Sequence, residues 1–216
     1  MIKSLKHGIK LLKYTYKLKQ SVFVCMIFFV VGLAFLLELG RSSISCSIYW
    51  LTVGMIATGT CFTVNTPSIV QSSPLKRTLQ ISIPVVLNLS CHIMTYLLFL
   101  LLEVLLWTVG GRERDPGALV IYGLMAIVFM VYNSSYKIFE LVTVFFIVAF
   151  LSLLLGGEYL IRQMLAGLSP AIAAVIGFGE ILIGALLQYC LALLTYRMPL
   201  SMRAIARELR KWMKWM

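Results

Sequence analysis

Six apolar runs dominate the chain, each about 17 to 25 residues long, the length that crosses the hydrocarbon core of a bilayer as an α-helix. They fall at 22–39, 47–64, 85–109, 116–132, 138–155 and 179–197. Lipid offers no partner to a free backbone N–H or C=O, so a crossing segment must be a helix or a strand of a closed barrel. The runs are continuously apolar and do not alternate, which selects helices. Of the 216 residues, 61% are hydrophobic and 12% charged, about half the charged share of a soluble domain. The reading is an all-α polytopic membrane protein with six transmembrane helices in one membrane domain over 1–216. Within it lie a connecting segment (1–20), a six-span core (21–197) and a tail (198–216).

The charge is +11, and its distribution orients the chain. Fifteen of the 19 Lys and Arg fall in alternate connections and at the two ends. They include Lys3 to Lys19, Lys76, Arg77, Lys137 and the run from Arg197 to Lys214. Arg41, Arg112, Arg114 and Arg162 fall on the other side. The positive-inside rule then puts both termini in the cytoplasm, with the chain multi-pass in the cell (plasma) membrane. A basic chain could also bind nucleic acid, but charges placed between apolar runs are accounted for by topology, and no nucleic-acid partner is expected.

Both ends carry a helical pattern. Ile2, Leu5, Ile9, Leu12 and Tyr16 recur at alternating spacings of three and four, and lysines repeat the pattern one residue later. The two stripes lie side by side on a helix, which suits a segment lying along the cytoplasmic face against anionic membrane lipids. Met202, Ile205, Leu209, Trp212 and Met216 repeat the design in the tail. The amino-terminal run lacks a small-residue cleavage site, so it reads as a retained span.

Two connections stand out. Between the second and third runs, Ser73-Pro74 is a hydroxyl cap followed by proline at the first helical position, and Pro84 disfavours helix at the residue before it. The expectation is a short helix from about 74 to 82 that presents Leu75, Lys76 and Arg77. Before the last run, Glu158 and Arg162 stand at i and i+4, where a helix pairs them. Ala166-Gly167-Leu168-Ser169-Pro170 reads as a turn, and 171–178 is apolar but too short to cross. Gly177 and Gly179 break it before Glu180. These features predict two short helices that dip into the outer leaflet and return.

This order resembles the membrane subunit of a type-2 ABC exporter: an amphipathic connecting helix, six spans, a coupling helix between spans two and three, and a re-entrant hairpin before span six. Ser73-Pro74-Leu75-Lys76-Arg77 is similar to the proline-bearing basic segment at the family's coupling site. The chain departs from the pattern in its short fourth span and in lacking an acidic residue just before Ser73. The resemblance implies a permease that forms the substrate pathway with a second permease subunit, identical or related. Pro74, Leu75, Lys76 and Arg77 would meet a separate ABC ATPase subunit, and Tyr136 and Lys137 would form a second cytoplasmic contact. The chain has no phosphate-binding glycine loop, so it holds no cofactor itself. ATP and Mg would be bound by the partner ATPase.

Ionisable residues in or near spans are functional candidates. Glu103, Glu158, Arg162 and Glu180 are read as polar residues at the outer mouth of a pathway, with solvation by headgroups as the plainer alternative. His92 reads as a hydrogen-bonded packing residue. An intramembrane enzyme is disfavoured: His7, His92 and a single aspartate, Asp115, do not supply a metalloprotease ligand set, and no motif joins His92 to a serine such as Ser152. The five cysteines form no CxxC pair and read as small buried hydrophobes. A non-catalytic membrane partner, such as an immunity, scaffold or substrate-capture subunit, is the remaining alternative.

Overall fold

The computed structural model describes residues 18–38, 43–65, 76–111, 115–134, 139–165 and 167–196. Among these residues it is all-α, with seven α-helices: α1 (Leu18–Glu38), α2 (Ser43–Asn65), α3 (Ile83–Thr108), α4 (Pro116–Ser134), α5 (Phe139–Ser152), α6 (Glu158–Leu165) and α7 (Pro170–Tyr196). Two π-helical turns, Thr78–Ser82 and Leu153–Gly157, lead into α3 and join α5 to α6. Four helical segments are long and apolar enough to cross a membrane: Leu18–Leu37, Thr78–Thr108, Pro116–Ser134 and Pro170–Tyr196. A fifth is added if the α5–α6 pair, bent by 44°, counts as one broken span. α2 is 23 residues long and carries no charged side chain. The amphipathic patterns at 1–17 and 198–216 lie outside the described residues.

Packing is inside-out relative to a soluble protein. On α3, Met94 is 72% exposed while Asn88 and His92 are 0%. On α7, Leu194 is 72% exposed and Gln188 1%. Apolar side chains facing outward on α1, α3, α5 and α7, with the polar ones of α3 and α7 inside, require a surrounding solvent of lipid. The protein is a multi-pass membrane protein.

α4 is the hub. It packs on α2, α3, α5, α6 and α7, and 72% of its apolar stretch is buried, against 11% for α1. Its proline is the first helical residue, where the missing N–H costs nothing, so the short fourth run is a complete helix. Its closest partner is α7. A side chain at Gly177 would meet Leu119 O at 2.6 Å, and one at Gly184 would meet Ile127 Cα at 3.1 Å. Small residues permit this approach, and with no hydrophobic drive between helices in lipid, close packing holds them together. The pairings 119 with 177 and 127 with 184 run α4 and α7 parallel. Asn88 with Gln188 and Tyr96 with Ala174 run α3 antiparallel to α7. α1 lies along α2, where Trp50 Nε1 donates to Phe29 O at 3.0 Å and its ring stacks on Phe29.

The helix before α3 differs from the short, separate one expected over 74–82. Lys76 and Arg77 are helical, and the chain continues without a break through the π turn into α3. Ser82 and Ile83 keep helical angles although Pro84 follows. The Ile83 N–H bonds to Thr78 O, five residues back, and this widened turn gives the proline ring room against the carbonyls that precede it.

The expected hairpin is corrected in its second half. α6 is a short helix after a bend, and Gly156 at the bend has φ 145°, a conformation open to glycine. The residues 171–178, however, are the first two turns of α7. Ser169 Oγ accepts from the Ile172 N–H at 3.3 Å, and Pro170 follows it. This is the cap-and-proline signal that starts a helix. Gly177 and Gly179 sit in the helix interior, and at Gly177 close packing on α4 offsets the low propensity.

Candidate functional site

The buried face of α3 is its polar face. Asn88, His92, Thr95, Tyr96 and Glu103 recur at helical spacing and point inward, while Met94, Leu97 and Leu101 face outward. Asn88 Nδ2 donates to Gln188 Oε1 of α7 at 3.0 Å, and Asn133 Nδ2 of α4 reaches Asn88 Oδ1 at 3.5 Å. One amide thus ties three helices. His92 sits beside it against Gly54 of α2, where an added Cβ would lie 2.7 Å from the ring. Neither ring nitrogen of His92 has a hydrogen-bond partner among the described residues. The expected packing of His92 is present, and the expected hydrogen bond is not found among the described residues.

One turn further on, Tyr122 of α4 donates to Thr95 Oγ1 at 2.7 Å, and Thr95 donates to Cys91 O at 2.9 Å. The Tyr96 ring lies 5.4 Å from that of Tyr122, and its hydroxyl donates to Ala174 O of α7 at 2.9 Å. Both phenolic protons are therefore directed away from the nearest carboxyl group, that of Glu180.

Glu180 is placed differently from the sequence expectation. Because α7 begins at Pro170, Glu180 stands about ten residues into it, roughly 15 Å along the axis, near the middle of the helix. Its neighbours confirm the depth. Gly123 is close to the middle of α4, and Tyr96 to the middle of α3. The carboxyl Oε2 rests where a Cβ of residue 123 would be. This oxygen is buried and has no hydrogen-bond partner. A carboxylate at the centre of a membrane helix costs about 2.5–3.5 kcal/mol on insertion scales. Glu180 is thus not a headgroup-solvated residue at the start of a span. Glu103, read as a polar residue at the outer mouth with headgroup solvation as the alternative, is 3% exposed.

Glu158 and Arg162 do pair. Arg162 Nε and Nη2 reach Glu158 Oε1 at 2.9 and 2.7 Å. Arg162 Nη1 also bonds Asp115 Oδ2 at the start of α4. The guanidinium therefore clips α6 to α4. Nothing in the local sequence marks Asp115 as its partner, since the contact spans 47 residues.

At the opposite end, Lys76 lies over the Tyr196 ring of α7, 5.6 Å from its centroid. Leu79, Gln80 and Ile81 are buried, and their π turn packs on both α2 and α7. Arg77 is exposed. Pro74, Leu75, Tyr136 and Lys137 lie outside the described residues. Among the described residues, no group of three or more His, Cys, Asp or Glu is placed to hold a metal.

Comparison with protein-family models, with curated proteins and with solved structures returns no match.

Proposed function

We propose that the chain is the membrane-spanning permease subunit of an ATP-driven exporter of the type-2 ABC class. It crosses the plasma membrane six times, with α2 and the bent α5–α6 pair as spans two and five, and both termini are cytoplasmic. Two permease subunits form the substrate pathway, and separate ATPase subunits bind ATP and Mg. This chain performs no hydrolysis itself.

The observation that carries the reading is the seat of the basic segment. Lys76 and Arg77 are helical, their helix continues into α3, and the turn behind them is wedged between α2 and α7. A force applied at Lys76 and Arg77 passes directly to three spans, through buried Leu79 and Ile81 and through Lys76 on Tyr196. A bland basic turn requires none of this. π turns also concentrate at functional positions in helices.

The test is to reverse Lys76 and Arg77 to Glu and co-express the variant with its ATPase. Truncating one partner of a buried charge pair costs about 2–5 kcal/mol, and a rim charge costs less. The expected result is loss of complex yield or of substrate-stimulated ATPase activity, with normal insertion. The same reversal at Arg112 and Arg114 leaves both intact. Unchanged yield and coupling in the Lys76/Arg77 variant would sink the permease reading.

A further inference from the structure

We propose that Glu180 is a binding site for the positively charged group of a lipophilic ligand, an amine or quaternary onium. The proposal deepens the permease reading by giving its substrate a chemical class.

Three observations carry it. The first is depth: the carboxyl lies level with Gly123 and Tyr96, at the middle of three packed helices. The second is the absence of a neutralising partner among the described residues. The cations among the described residues are Lys19, Lys76, Arg77 and Arg162. Lys19 begins α1, Lys76 and Arg77 precede α3, and Arg162 is held by Asp115 and Glu158 at the far end. The nearby phenols donate to Ala174 O and Thr95 instead. The third is room for the carboxyl. Gly123 has no side chain where α4 meets α7, and a Cβ there would collide with Oε2 as well as with the Gly177 backbone. An acid held at this depth without a counter-ion among the described residues is a recognition group for one. The residue as a whole is half-buried, although Oε2 itself is covered. A ligand reaching it from the membrane needs an apolar body as well as a charge.

The experiment uses the full chain in phosphatidylcholine nanodiscs with tetraphenylphosphonium as the probe and empty nanodiscs as background. Saturable binding is expected for the wild type, with Glu180→Gln weakening it at least tenfold. Glu180→Asp should retain part of it. Gly123→Ala should weaken binding by displacing the carboxyl. Tetraphenylborate, of the same size and opposite charge, should show no saturable binding. Thermal unfolding of each variant establishes that it is folded. Equal saturable affinity for wild type and Glu180→Gln overturns the proposal. So does the lack of saturable binding by folded wild type, the result expected if the site takes only a proton. No ATP or ATPase enters the measurement. Failure of complex formation would therefore remove the permease reading alone, and failure of binding this inference alone.

Discussion

The Lys76 ammonium lies over the Tyr196 ring, 5.6 Å from its centroid, joining the first turn before α3 to the last turn of α7. A cation–π contact at a partly exposed site stabilises by about 0.5–1 kcal/mol. Tyr196→Phe should keep most of that, and Tyr196→Leu should lose it. Thermal melts in detergent read the difference. Under the permease reading, Tyr196→Leu also lowers coupled ATPase activity while leaving complex yield unchanged.

The Asn88–Gln188 bond is a buried side-chain tie between α3 and α7. Interhelical hydrogen bonds in membranes average about 0.6 kcal/mol and reach about 1.7. A double-mutant cycle of Asn88→Ala and Gln188→Ala should give coupling in that range. Asn88→Ala should be the costlier single change, because it also releases Asn133. Additive effects in the cycle would refute the tie.

Gly177 and Gly179 make a paired test of packing. A Cβ at 177 meets Leu119 O at 2.6 Å and Tyr96 Oη at 2.5 Å, whereas one at 179 meets nothing within 4 Å. Gly177→Ala should destabilise by about 1–3 kcal/mol through overpacking. Gly179→Ala should be neutral or stabilising by up to about 1 kcal/mol. Matching melts for the two variants would contradict the close α4–α7 approach.

Arg162 bonds two carboxylates with its planar fork, and lysine cannot reproduce that geometry. Arg162→Lys should keep one contact, and Arg162→Ala should leave Asp115 and Glu158 without their cation. Expected outcomes are faster proteolysis near Gly156 in Arg162→Ala and an intermediate rate in Arg162→Lys. Asp115→Asn should resemble Arg162→Lys. Equal cleavage rates in all four proteins would show that the clip does not hold α6 in place.

Topology is checked by single cysteines in a cysteine-free background. A cysteine at Arg114 should react with an impermeant thiol reagent in intact cells, and cysteines at Ser72 and Lys214 should not. Labelling of Ser72 from outside would rule out the six-span arrangement with cytoplasmic termini.

Much of the architecture was open to reading from the runs alone, because lipid forces an apolar stretch of that length into a helix whatever its neighbours do. The positions of α1, α2, α4 and α5 follow directly. Propensities measured in water mislead for helices held by packing. Gly177 and Gly179 have the composition of a helix break, yet Gly177 is where α7 approaches α4, the helix runs through both, and Glu180 falls at mid-helix instead of at a span end. Pro84 has the character of a stop, and a widened turn carries the helix past it. The inward polar face of α3 is visible as Asn88, His92, Thr95 and Tyr96 at spacings of three and four within an apolar run, with Glu103 about two turns beyond. The Asp115–Arg162 contact is not, since only the folded chain brings those residues together.

The π turn at Thr78–Ser82 makes α3 unusually sensitive to where its length is changed. A π turn holds one residue more than α-helical geometry needs. Deleting one residue inside it should restore a regular turn and leave Asn88, His92 and Glu103 facing the same neighbours. Deleting one residue between Ile83 and Asn88 instead rotates the helix on one side of the cut by about 100° relative to the other. The Lys76 end would then lose its registration with α7, or the polar residues would turn toward lipid. Two deletions of equal size, a few residues apart, should therefore give one folded protein and one that fails to assemble.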